Sequence, residues 1–237
     1  MIRRIGYRRG VRPRFIIELD DGDRLRAVEP TPPDIVKAAA RLASFYNDAH
    51  NREMLAHDED LSARDVVAHY GALGKEGARA FFLEIDGRLV GDADLRNLNR
   101  HRAEVAILVG DRSMQGRGLG TRFGIMLHAF AFDTLKLRRT YASIIPANVG
   151  SLRLFEKLGY RPDTSRTARR FADDPTDVTL SLDSRRFREL HGSVAARVQV
   201  GQREVTRRTR TRRGGSGRGR LAGSASWCAR RRRLWIS

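Results

Sequence analysis

One segment constrains the fold more than any other. Residues 104–109 (Glu-Val-Ala-Ile-Leu-Val) are an apolar run of strand length, followed by the glycine-rich turn Gln115-Gly116-Arg117-Gly118-Leu119-Gly120. From 121 to 135 apolar residues then recur at helical spacing (Phe123, Met126, Leu127, Phe130, Ala131). Such a turn directs backbone N–H groups outward at the positive end of a helix dipole, which holds a phosphate or diphosphate without a basic side chain. Glycine is required where the backbone takes positive φ or must approach a ligand closely. Residues 140–145 (Thr-Tyr-Ala-Ser-Ile-Ile) form the next β-rich run. Strand, turn, helix and strand in this order predict two parallel strands joined by a right-handed crossover.

The flanking segments read as antiparallel. Residues 15–19 and 24–28 bracket Asp-Asp-Gly-Asp, and 80–85 and 88–95 bracket Asp86-Gly87, giving two hairpins. Thr31-Pro32-Pro33-Asp34 is a helix start, with Thr31 as cap and Asp34 three residues on; the helix runs to about Asn47. Ser62 and Asp65 open a second helix, ending near Gly71. Asn148 caps a third through about Leu158, stopped by Gly159. Weaker strands are expected near 169–171 and 178–182. The predicted class is α+β: a mixed, mostly antiparallel sheet with a central parallel pair, flanked by helices.

The net charge of +18 suggests a nucleic-acid partner until it is divided along the chain. Residues 185–237 hold 16 Arg against 2 Glu, and residues 1–14 hold 6 Arg and no acid. The stretch between, 15–184, is close to neutral, so three parts are expected: a basic segment 1–14, a folded domain 15–184, and an Arg-rich tail 185–237. The tail is low in complexity, too polar and self-repelling to fold alone, and reads as disordered. Nucleic acid would bind only through it. Translation past a frameshift in a GC-rich gene would give the same composition. A lone Cys228 and six His without paired ligand spacing argue against a metal centre. No apolar signal core and no membrane-length apolar run is present, which makes a cytoplasmic protein without a membrane partner the expectation.

The hexapeptide resembles the Arg/Gln-x-x-Gly-x-Gly/Ala signature of the GNAT superfamily of acetyl-CoA-dependent N-acetyltransferases, matching every fixed position. A second block, residues 146–160, is similar to the family's Asn-x-x-Ser…Leu-Tyr-Glu-Lys-x-Gly-Phe segment. Residues 130–139 are similar to the branch of ribosomal-protein and polyamine acetyltransferases. The resemblance covers roughly residues 15–182. It implies a GNAT-like sheet whose parallel strands splay apart around acetyl-CoA as co-substrate. It also implies transfer of an acetyl group to a primary amine of a small molecule or a protein N-terminus, by direct attack on the thioester. The acceptor and the oligomeric state, a homodimer included, stay open.

The resemblance also distributes roles. The amides of Gln115, Gly116, Arg117, Gly118, Leu119 and Gly120 would take the diphosphate, with the Arg117 side chain adding a screened charge or simply solvated. Main-chain groups of Ile107, Leu108 and Val109 would pair with the pantetheine arm, and Asn148 would bond that arm or cap its helix. Glu104 stands eleven residues before Gln115, where the histone-acetyltransferase branch carries its base. An amine protonated at pH 7 must lose its proton before attack, and a carboxylate can accept it; exposure at a strand edge or pairing with Arg102 would also explain Glu104. Many relatives protonate the leaving thiolate with the Tyr of Leu-Tyr-Glu-Lys, but here that residue is Phe155. Ser151 is then the substitute donor, with helix capping as its rival role. Tyr160 reads as core. Asp92 and Asp94 share a strand face and would attract a cationic amine if that face lines a cleft, although solvated surface charge is the commoner role of such a pair. Asp58, Glu59 and Asp60 are open to the same two readings. A CoA-binding domain without catalysis is the alternative that Phe155 favours.

Overall fold

Alternation writes the first hairpin. In β1 (Arg14–Asp20) Phe15, Ile17 and Leu19 are buried while Glu18 and Asp20 are exposed, and β2 (Arg24–Val28) pairs with it antiparallel. These strands belong to a computed structural model that describes residues 12–55, 57–172 and 174–203. The expected helix start holds: the Asp34 carboxylate accepts from the Thr31 amide at 2.7 Å, opening α1 (Pro32–Tyr46). A short helix, α2 (Ala49–Met54), follows, capped by Asp48. Six residues are too few to show a helical period, so the sequence did not announce it. Ser62 and Asp65 form the second capping box, and α3 (Ala63–Lys75) runs one turn past Gly71 because Leu73 is buried.

The second hairpin joins β3 (Arg79–Ile85) to β4 (Arg88–Arg96) through Asp86 and Gly87, both at positive φ (49° and 79°), as a tight two-residue turn requires. Next come β5 (Arg102–Val109), α4 (Leu119–Ala129) closed by one wide π turn, and β6 (Arg139–Ile144). They are followed by α5 (Val149–Leu158), β7 (Arg161–Pro162) and β8 (Val178–Asp183). With a last strand, β9 (Gln199–Arg203), the described strands form a nine-stranded sheet in the order β7-β8-β6-β5-β4-β3-β2-β1-β9. Every pairing is antiparallel except β5 with β6, which is the expected mixed architecture.

Two expectations are corrected. Residues 169–171 are not a strand but part of a 3-10 turn (Ala168–Phe171), pinned by Phe171 stacking on Tyr141 at 4.5 Å. The boundary expected at 184/185 also moves. Asp183 caps α6 (Ser184–Ala195), whose Phe187 is fully buried beside Phe132, and β9 (Gln199–Arg203) pairs with β1 on the sheet edge. One buried aromatic and an exposed edge strand leave no apolar period, so backbone pairing carries what composition hides. The expectations for residues 1–11 and 204–237, including Cys228, lie outside the described residues.

The pleat of β5 divides the interior. Ala103, Val105 and Ile107 pack with α4 residues Phe123, Met126 and Leu127 in the larger core. On the opposite face Leu108 packs against a second core built from Leu42, Tyr46, Val66, Tyr70 and Phe82. The parallel register of β5 and β6 spans only Arg102↔Arg139, Ala103↔Thr140 and Glu104↔Tyr141. Beyond it β5 stays with β4 to Val109 and β6 stays with β8 to Ile144, so the two part like a V.

Candidate functional site

The glycine turn sits at the mouth of that V. Gly116 (φ 72°) and Gly118 (φ 76°) are both left-handed, a conformation L side chains resist. Gly118 is the N-cap of α4 and has no side chain to cap it. The first amides of a helix have no partner within it, so those of Leu119, Gly120 and Thr121 stay available to a ligand. Gly120 has a second reason to be glycine: a Cβ there would stand 3.3 Å from Leu154 of α5, against which α4 packs. A cavity of about 350 Å³ opens in front of these amides. Its wall includes Ile107, Leu108 and Val109 on β5, then Gln115, Gly116, Gly118, Leu119 and Gly120 on the turn, then Asn148 and Ser151 on α5. Arg117 does not line it; the guanidinium lies against Met114 Sδ at 3.2 Å.

Several of these side chains brace the cavity rather than face it. Gln115 Nε2 donates to Val109 O at 2.7 Å and to Asn51 Oδ1 at 2.8 Å, tying the turn to the end of β5 and to α2. Asn51 is 2% exposed and passes its own amide hydrogens to Phe45 O and Gly110 O, both at 2.9 Å. Nothing in the sequence singled out Asn51, because its partners lie on three separate segments. Asn148 Oδ1 accepts from the Ser151 amide at 2.9 Å and its Nδ2 donates to Met54 O at 3.1 Å. Asn148 is therefore the cap of α5, and Ser151 contributes only its amide to that cap. Phe155 is buried edge-on to Tyr160, 4.9 Å between ring centres. Tyr160 is core as expected: its hydroxyl donates to Thr140 Oγ1 and meets His128 Nε2, both at 2.8 Å.

The other face of β4 and β5 is acidic and buried. Glu104 is 3% exposed, with Asn97 Nδ2 donating to Oε2 at 2.7 Å and Arg96 Nε 3.8 Å from Oε1. The partner is thus Arg96, its cross-strand neighbour, and neither Arg102 nor solvent. Asp92 and Asp94 are buried as well, which corrects the solvated-surface reading. Arg96 Nε lies 3.1 Å from Asp94 Oδ1. Asp92 Oδ2 accepts from Tyr46 on α1 at 2.6 Å and from Tyr70 on α3 at 2.8 Å. Burial pushes the Asp92 carboxyl up to about 7, opposed by the two tyrosine hydroxyls and reinforced by Asp94. Burial likewise pushes Asp94 up to about 6 against the pull of Arg96. Asp58, Glu59 and Asp60, by contrast, are exposed, and Asp60 pairs with Arg52.

A larger cavity of about 540 Å³ lies between the ends of β1 and β2 and helices α1 and α3, but shares no residue with the glycine turn. Its carboxylate, Glu29, is already closed on Arg79 at 2.8 Å, which leaves it little chemistry. The smaller cavity, with helix amides at one end and carboxylates behind its β5 wall, is the candidate site. Among the described residues no three His, Cys, Asp or Glu side chains are grouped to hold a metal ion, and no helix is long and apolar enough to cross a membrane.

Comparison with known proteins is consistent with this geometry. The acetyltransferase (GNAT) domain family matches residues 24–161. A probable N-acetyltransferase, YjcK of Bacillus subtilis, is 26% identical over 125 residues, covering 52% of this chain and 64% of that protein. An N-acetyltransferase 9-like protein of Nematostella vectensis is 32% identical over 94 residues, 40% of this chain and 44% of that one. The chain thus spans less than two thirds of either relative. Among solved structures, Mycobacterium smegmatis RimJ in complex with CoA-disulfide superposes with a TM-score of 0.58 at 18% identity, over 77% of this chain and 92% of that one. The aminoglycoside acetyltransferase AAC(6')-Ib in complex with coenzyme A and kanamycin superposes at 0.57 and 20%, over 70% and 96%. At these identities the structures speak for the fold.

Proposed function

This chain belongs to the GNAT acetyltransferase family, and on that premise we propose that it transfers an acetyl group from acetyl-CoA to a primary amine. The observation that carries the reading is one of position. The uncapped amides at the start of α4 and the stretch of β5 beyond its register with β6 face the same cavity. A diphosphate carrier with an extended amide-bearing arm needs both, anion-binding amides at one end and a free strand edge along the rest.

In this reading the amides of residues 116–120 hold the diphosphate, the Gln115 amide expected to join them being closed on Arg112 O instead, and main-chain groups of Ile107, Leu108 and Val109 pair with the arm. Gln115 and Asn148 keep the walls in place. The amine attacks the thioester carbon from the α1–α3 side of the sheet, Glu104 accepts its proton, and Ser151 is the hydroxyl assigned to the departing thiolate. The acceptor class is a small-molecule amine or a protein N-terminus, in the manner of the ribosomal-protein and polyamine branch. The three buried carboxylates Asp92, Asp94 and Glu104 favour a cationic acceptor.

Calorimetry with coenzyme A, together with thiol release from acetyl-CoA across a panel of amines, tests the proposal. Binding with release is expected; no binding would overturn it. Binding without release would favour the second reading, a CoA-binding domain without catalysis, for which the apolar burial of Phe155 is the supporting observation.

A further inference from the structure

Asp92 moves no proton in the reaction as proposed above, yet two helices are arranged around it. Tyr46 from α1 and Tyr70 from α3 both donate to one oxygen, Oδ2. The other, Oδ1, is buried and has no hydrogen-bond partner among the described residues. An unpartnered carboxylate oxygen in an apolar interior is costly and calls for a partner that comes and goes. The location suggests which. Asp92 stands directly across from Leu108 in the β4–β5 register, and Leu108 lines the cofactor cavity. Both also line a third, much smaller cavity of about 10 Å³, together with Leu55, Asp94 and Ala106 among others. That is room for about one water.

We propose that Asp92, oriented by Tyr46 and Tyr70, is a second proton acceptor for acetyl transfer, reached from the acceptor amine through one water held in this small cavity. The inference rests on the acetyl-transfer reading and deepens it. As the amine nitrogen bonds to the thioester carbon and the C–S bond breaks, the N–H proton passes to the water. The water gives one of its own protons to Asp92 Oδ1, making a neutral carboxylic acid that later returns the proton to solvent. The charged and titratable groups facing Asp92 are Tyr46 and Tyr70 on the helices, Asp94 and Arg96 on its own strand, and Glu104 beyond Arg96 on β5. Arg96 sits between Asp94 and Glu104 and is permanently charged, so no proton passes from Glu104 to Asp92 along that line. Burial brings Asp92 to about 7, close to the working range of a base in neutral solution.

The test is the pH profile of kcat/KM for the full chain with acetyl-CoA and whichever of kanamycin, spermidine or an alanyl peptide it turns over. Activity in the wild-type chain should rise through a limb near pH 7. Tyr70→Phe removes a donor to the ionised carboxylate and should move that limb upward by about one pH unit. Asp92→Asn should abolish the limb and lower the rate at pH 7 by about 10²-fold, with coenzyme A affinity unchanged by calorimetry. Glu104→Gln should lower the plateau while leaving the limb in place. If Asp92→Asn does not fold, the limbs of Tyr46→Phe and Tyr70→Phe decide alone. A limb unmoved in both tyrosine variants overturns the inference while leaving the acetyl-transfer reading intact. Thiol release with none of the three amines overturns both.

Discussion

The two sides of β5 are built by opposite means. The glycine-turn side is main chain: glycines at positive φ, the uncapped amides of α4, and the stretch of β5 from which β6 turns away to β8. The acidic side is side chains: Asp92, Asp94, Arg96 and Glu104 from two strands, with tyrosines from two helices. A site made of backbone depends on which residues are absent, because a charged side chain or a cap at the turn would close it. A site made of side chains depends on which residues meet. The first should therefore fail abruptly on adding a charged side chain, and the second should fail by degrees as charges and donors are removed.

The largest effect expected is at the turn. Gly118→Asp puts a side chain at φ 76° and a negative charge beside the amides proposed to take the diphosphate, and should abolish coenzyme A binding in calorimetry. Gly118→Ala sharpens the point: a Cβ there meets nothing within 4 Å, so it adds only backbone strain of about 1–2 kcal/mol and should cost no more than roughly tenfold in affinity. Equal losses in both would break the contrast. Across β5, Glu104→Gln should lower turnover by about 10²-fold near neutral pH with little change in coenzyme A affinity. Wild-type turnover in that variant would remove Glu104 from the proposed chemistry.

Stability should separate the regions by sign. Asp92 and Asp94 have folded values raised to about 7 and about 6 over an ordinary value of 3.8. Their contribution is thus fully present below about pH 4 and lost as pH rises through 6 and 7. Asp111 and Asp163 run the other way. Burial opposes it, but Ser113 with Arg88 at Asp111, and Ser165 with Ser181 at Asp163, hold these carboxyls below the usual range. Their contribution is present above 3.8 and lost only in acid. Raising pH from 5.5 to 8 should therefore lower the unfolding free energy by about 3 kcal/mol, and Asp92→Asn should remove most of that slope in denaturant melts. A flat profile would mean that the acidic face is wetter than its burial indicates. The smallest effect is at Asn148, where Asn148→Ala removes the α5 cap and should cost about 1 kcal/mol, read as a lower melting temperature.

Legibility follows the same division. The strand–turn–helix run, both capping boxes, the Asp86-Gly87 hairpin and the Asn148-to-Gly159 helix were readable because each is specified by neighbours within a few residues. Missed were α2, α6 and β9, which lack a period of their own and are held by a cap, by Phe187 or by an edge. Asn51 was invisible for a related reason: its four partner groups come from Phe45, Asp48, Gly110 and Gln115. Asp92 and Asp94 were visible as a shared face, but their burial was not, since it is supplied by α1 and α3.

Local pattern was enough for the central strand–turn–helix–strand run, the two hairpins and the starts of three helices, because φ preferences and caps act over a handful of residues. It took the folded chain to pair Glu104 with Arg96, to set Asp92 beneath two tyrosine hydroxyls, and to complete the sheet with residues 184–203. Those outcomes depend on which distant groups share a low-dielectric interior, and no local rule carries that information.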